Sequence, residues 1–159
     1  MHTDPSLFFD AGGRLREPLV AWLQQAFGYD PAVVRYTRFK KAARLPYHAR
    51  TFYRTVWYQD PDDTKLATHT YSVRNWLNLI VHEMFHRTEI GNNPFSAARF
   101  GISYGWYWLK NRCTGKDPYF DNPHEERAYE MGCGSGSRVD RLLAEDPGLA
   151  DRLTGMGNP

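Results

Sequence analysis

The chain is poor in cysteine. Cys113 and Cys133 are the only two among 159 residues, and they form no C-x-x-C pair. Two cysteines cannot staple a domain of this size, and a zinc ribbon or dithiol redox centre needs paired ones. Both read as free thiols in a reducing compartment. Neither has the recognisable partner that nucleophilic cysteine chemistry requires. Long apolar runs are missing too, so no membrane-spanning helix is expected. At the N-terminus, Asp4, Pro5 and Asp10 interrupt any basic–apolar–small signal pattern, which makes a cytoplasmic location the expectation. No charge dominates: 20 Lys plus Arg against 18 Asp plus Glu leave +2, a balance that demands no anionic partner. Repeats and long linkers are absent. One domain over residues 1–159 is expected, with 1–13 as a flexible lead-in ending at Gly12-Gly13.

What the chain has is aromatic residues, 15% of the total, enough for a rigid core and an aromatic-lined cleft. Leu15, Leu19, Val20, Leu23 and Phe27 recur at helical spacing, with Pro18 in the first turn and Gly28 at the stop. Residues 32–39 and 51–58 are rich in β-formers and read as two strands, with Asp60-Pro61-Asp62-Asp63 as a turn after the second. Trp76, Leu77, Ile80, Val81, Met84 and Phe85 form an amphipathic helical stripe between Ser72, a plausible N-cap, and Gly91. Asn93-Pro94 and Asn122-Pro123 each pair a cap with a first-turn proline and open further helices. A last helix is expected over 138–144. Strands early and helices late argue for the α+β class.

The stripe contains His82-Glu83-Met84-Phe85-His86, an H-E-x-x-H sequence. Histidines four apart project from one helix face and reach a single metal ion, while the Glu beside the first serves as general base toward water. Both histidines border the apolar stripe, which turns them inward. A catalytic zinc needs a third protein ligand and one open position. The segment after His86 offers no further histidine, and the candidates are His124, Glu125 and Glu126.

An H-E-x-x-H helix followed by a helix with Glu125-x-x-Ala128 resembles the gluzincin metallopeptidases. Pro123-x-Glu125-x-x-Ala128, with Tyr129 after it, is also similar to the small zincin-like domains of bacterial contractile-injection and polymorphic-toxin loci. The similarity spans about residues 45–131. It implies a minimal zincin-like fold: a small antiparallel or mixed sheet, and a helix bundle carrying the motif. It also implies zinc on His82, His86 and Glu125, with Ala128 letting the two helices approach. The implied activity is hydrolysis of peptide bonds in peptide or protein substrates. A shallow cleft with strand 51–58 as its upper edge is part of the same expectation. Many gluzincins carry Asp where this chain has Tyr129. Tyr129 is therefore expected either to hydrogen-bond a ligand histidine or to donate to a transition-state oxyanion. Tyr104 and Tyr107 are further candidate donors.

Three other stretches have simpler readings. Residues 35–54 hold seven Lys or Arg and no acid, interleaved with aromatics. A solvated face is the expectation and a nucleic-acid face is disfavoured, since net charge is small. Gly101–Trp108 is aromatic and is expected to pack into the core. Gly132–Gly136 reads as a hinge, because a phosphate loop would need a strand before it. The alternative to a peptidase is a non-catalytic zincin-fold binding module, with or without a basic nucleic-acid face.

Overall fold

A computed structural model describes residues 4–45, 49–59, 73–133 and 136–155. The class is α+β, with seven α-helices and a three-stranded mixed sheet among the described residues. The chain opens with a 3-10 turn, Pro5–Leu7, capped by the Asp4 carboxylate. It continues into α1 (Glu17–Phe27), which carries Pro18 in its first turn and ends on Gly28 in the left-handed conformation. The lead-in is part of the core, contrary to expectation. Phe8 and Phe9 are buried, and Phe9 stacks on Phe39 at 4.8 Å and Tyr58 at 5.7 Å. Burial of two phenylalanines stabilises this segment by several kcal/mol (about 1.5–3 each), which outweighs its glycines.

Residues 32–39 do not form one strand. Helix α2 (Pro31–Tyr36) precedes β1 (Arg38–Lys41). Asp30 accepts a hydrogen bond from the Ala32 N–H at 2.8 Å and Pro31 pre-sets the first turn, so the N-cap overrides the β-preference of Val33 and Val34. Residues 51–58 are also two elements, β2 (Ala49–Phe52) and β3 (Thr55–Tyr58). Between them Tyr53 takes a φ of +51° and reverses the chain. The sheet order is β1-β3-β2, with β1 parallel and β2 antiparallel to β3. β3 is therefore central, and the expected cleft edge belongs to β2. The 60–63 turn and the Ser72 cap lie outside the described residues.

Helix α3 (Val73–Ile90) runs through the middle of the molecule and is buried along most of its length. Trp76, Leu77, Ile80, Val81 and Met84 are almost wholly inaccessible. Helix α4 (Pro94–Cys113) starts where the Asn93 side chain accepts from the Ser96 N–H. In α5 (Pro123–Met131), Asn122 accepts from the His124 N–H. Helix α6 (Arg138–Glu145) follows, and α7 (Leu149–Thr154) adds a helix not expected from sequence, seating Leu153 in the core.

Gly132, which opens the glycine segment after α5, is a packing contact and not a hinge position, while Gly134 and Ser135 lie outside the described residues. A Cβ on Gly132 would stand 2.3 Å from the Asn78 carbonyl oxygen and 3.0 Å from the His82 nitrogen. Asn78 Oδ1 accepts from the Cys133 N–H at 3.1 Å and the Ser137 hydroxyl at 2.9 Å. Backbone thus lies directly on the turn of α3 that carries His82.

Candidate metal centre

Helical spacing puts His82 and His86 one turn apart, and the elements packed around α3 bury both, to 4% and 6% exposure. Glu125, in the first turn of α5, is buried to 3%. Ala128 is wholly buried one turn further on, and with Gly132 it lets α5 approach α3. His82 Nε2 lies 3.3 Å from Glu125 Oε2, and His86 Nε2 lies 3.4 Å from the same oxygen. Neither contact has hydrogen-bond geometry, so His86 Nε2 and Glu125 Oε2 are left as buried atoms without a hydrogen-bond partner. The three ligand atoms all lie within 4.8 Å of one another.

These residues fit a metal ion. Tetrahedral ligands at zinc's usual distances of roughly 2.0–2.2 Å stand about 3.4 Å apart along an edge, which matches the spacing between each imidazole nitrogen and Oε2. The other carboxylate oxygen, Oε1, accepts a hydrogen bond from the Tyr104 hydroxyl at 2.8 Å. Orphaned polar atoms that converge in the interior are costly unless something satisfies them.

The charges lean on each other. Burial works to raise the Glu125 pKa, but His82, His86 and the Tyr104 hydroxyl hold the carboxyl well below the usual range. Burial works to lower that of His86, but Glu125 and Glu89 lift it to about 9. Glu89 is itself held low, against its burial, by His86 and His124. Its Oε2 is 3.7 Å from His86 Nδ1, and both its oxygens bond His124 Nδ1 at 3.0 and 3.1 Å.

Glu83 lines a cleft of about 1020 Å³ between β2 and α4. The Thr51 hydroxyl donates to its Oε2 at 2.6 Å, and no bond to its other oxygen is seen among the described residues. His86, Glu125 and Tyr119 also border the cleft. Tyr119 hydrogen-bonds Glu125 and Tyr129, and burial together with the nearby carboxylates keeps its hydroxyl protonated far above neutral pH.

The other sequence candidates separate cleanly. His124 turns away, bonding Glu89 and, through Nε2, Ser103 Oγ at 3.0 Å. Glu126 is exposed. Tyr129 lays its ring edge-on against His82, 4.9 Å between centroids, and its hydroxyl meets Tyr119. His82 Nδ1 has no hydrogen-bond partner. Tyr107 packs on the His124 ring. The expectation that Gly101–Trp108 packs into the core does not hold. Within α4 only Asn111 is buried. One side of the helix (Phe100, Gly101, Tyr104, Gly105 and Trp108) forms the cleft wall, while Phe95, Ile102, Trp106 and Leu109 face outward.

Thr51, Glu89 and Tyr119 were not singled out by sequence. Only Tyr119 had a local signal: Asp117 accepts from the Tyr119 and Phe120 N–H groups, an Asx turn that fixes the loop. No family model, curated protein or solved structure matches the chain. No helix among the described residues is long and apolar enough to cross a membrane.

Proposed function

We propose that the chain is a zinc-dependent peptidase of minimal zincin-like fold. The observation that carries this reading is the convergence of two imidazole nitrogens and one carboxylate oxygen beside a cleft that Glu83 also lines. His82, His86 and Glu125 would hold the ion, leaving one position open. Zinc bound there supplies a Lewis acid that polarises a peptide carbonyl and makes water acidic near neutral pH. The remaining work falls to side chains. Glu83, anchored by Thr51 at one oxygen, accepts the water proton at the other and passes it to the leaving amine. Tyr119, protonated and at the cleft wall, would turn its one O–H from Glu125 to the developing oxyanion. Tyr104 keeps Oε2 of Glu125 turned toward the histidines. The outer edge of β2, unpaired among the described residues, offers backbone groups to an extended substrate, which adds as a further strand.

Glu83→Gln tests the reading, because the amide keeps the shape and cannot accept the proton. The variant should retain zinc by elemental analysis. It should lose chelator-sensitive hydrolysis of unstructured proteins by several orders of magnitude. If both proteins hold zinc and neither cleaves, the chain is instead a non-catalytic binding module; equal cleavage by both would overturn the role of Glu83 as base.

A further inference from the structure

The sheet has a clean inside and outside. Phe39, Val56 and Tyr58 point into the core. Arg38, Lys40, Trp57, Arg50 and Phe52 are exposed on the opposite face. Register aligns them in rows: Lys40 lies opposite Trp57 and Trp57 opposite Arg50, while Arg38 lies opposite Thr55 and Thr55 opposite Phe52. Lys40 sits 5.4 Å over the Trp57 ring. None of Arg38, Lys40 and Arg50 has an ion-pair partner among the described residues. By contrast, Arg35, just before β1, is neutralised by Glu17. Three uncompensated cations on one small face repel one another, and Phe52 is left 73% exposed beside them. Stability alone does not select such a face.

The face is continuous with the cleft. Arg50 and Phe52 belong to both, and Arg50 is the one Lys or Arg on the cleft wall among the described residues. A chain lying in the cleft meets Arg50 first, then Lys40 and Arg38 across the sheet. We infer that this face is a substrate-docking surface for an acidic, aromatic-containing polypeptide segment that runs from the cleft across Arg50, Lys40 and Arg38. The inference rests on the peptidase reading. Charge complementarity selects a polyanion. The shared Arg50 and Phe52 select the same polymer that fills the cleft. The wider charge pattern disfavours nucleic acid, since residues 117–159 carry nine acids against four arginines.

Anisotropy titration on zinc-loaded Glu83→Gln protein reads docking without turnover. The probes are a dye-labelled peptide of about twelve residues containing glutamates and one phenylalanine, its glutamine counterpart, and an oligothymidylate. At ~3.3 Å per residue the peptide is long enough to cross from cleft to face. The glutamate peptide should bind about tenfold tighter than the glutamine one at low salt, and the gap should close near about 0.5 M salt. Arg38→Glu with Lys40→Glu should erase the preference, while Lys110→Glu with Lys116→Glu, equal in charge and elsewhere, should preserve it. Circular dichroism and thermal unfolding verify that both pairs fold. Equal binding of the two peptides, equal effects of the two charge-reversed pairs, or tighter binding of the oligothymidylate each overturns the proposal. Chelator-sensitive cleavage by the unsubstituted protein tests the peptidase reading separately, so either can fail alone.

Discussion

The Tyr104 hydroxyl donates to Oε1 of Glu125 at 2.8 Å, while Oε2 of the same carboxylate faces His82 and His86. That hydrogen bond occupies one oxygen and leaves the other turned toward the two imidazoles, where under the proposed reading it would ligate the metal. Groups that orient a ligand in this way typically contribute about 10- to 100-fold in metal affinity. Tyr104→Phe should weaken zinc binding by about that factor, measured by competition with a chromophoric chelator. Unchanged affinity would show that the carboxylate orients itself.

The ligand set makes a sharper contrast. His82→Ala and Glu125→Ala should each lose stoichiometric zinc after dialysis, whereas Glu126→Ala, altering an exposed neighbour on the same helix turn, should retain it. Metal retained by Glu125→Ala would move the third ligand elsewhere.

Tyr119 and Tyr129 share a hydrogen bond but differ in position, and only Tyr119 lies on the cleft wall. Tyr119→Phe should lower kcat by about 10- to 1,000-fold when measured at saturating zinc. Tyr129→Phe, which removes a hydroxyl behind it, should cost under about tenfold. The reverse ranking would return the oxyanion role to Tyr129.

Gly132 packs where a methyl group would strike the backbone of α3. Gly132→Ala should destabilise the protein by about 1–3 kcal/mol, the usual cost of overpacking. It should also weaken zinc binding, because the strained turn carries His82. Denaturant unfolding and the chelator competition read the two effects.

Asp140 gives a pH signature outside the site. Its hydrogen bond with Arg74, and another from Asn78, hold its carboxyl below the ordinary value against partial burial. A depressed folded pKa means the contribution is present above the unfolded value near pH 4. It is lost as pH falls through the lower folded value. Arg74 is 59% exposed, which limits the gain to about 1 kcal/mol. Asp140→Asn should lower stability by about that amount at pH 7 and by less at pH 3, measured by urea unfolding.

The sequence was most legible where the physics is local. H-E-x-x-H and the Asn-Pro caps of α4 and α5 fix their geometry within one or two turns, so His82 and His86 are legible from spacing alone, whereas the choice of Glu125 over His124 and Glu126 rests on the gluzincin resemblance. Local signals failed where they competed: the β-branched pair Val33-Val34 masked the Asp30-Pro31 cap. Long-range signals were not visible at all. Phe8 and Phe9 join the core by meeting residues thirty or more positions away. Thr51 reaches Glu83 only because the β2–β3 hairpin brings it there. The aromatic density of α4 read as core because composition does not say which face meets solvent.

That twenty-residue helix carries a consequence for dynamics. With Asn111 its one buried residue, α4 has little apolar anchorage, and its ends depend on the Asn93 cap and on Asn111 and Thr114 hydrogen bonds. Elements with few buried contacts open first in native-state exchange. The amides of α4 should therefore exchange with solvent long before those of α3. One wall of the cleft would yield to a bulky ligand while His82 and His86 on α3 stay fixed.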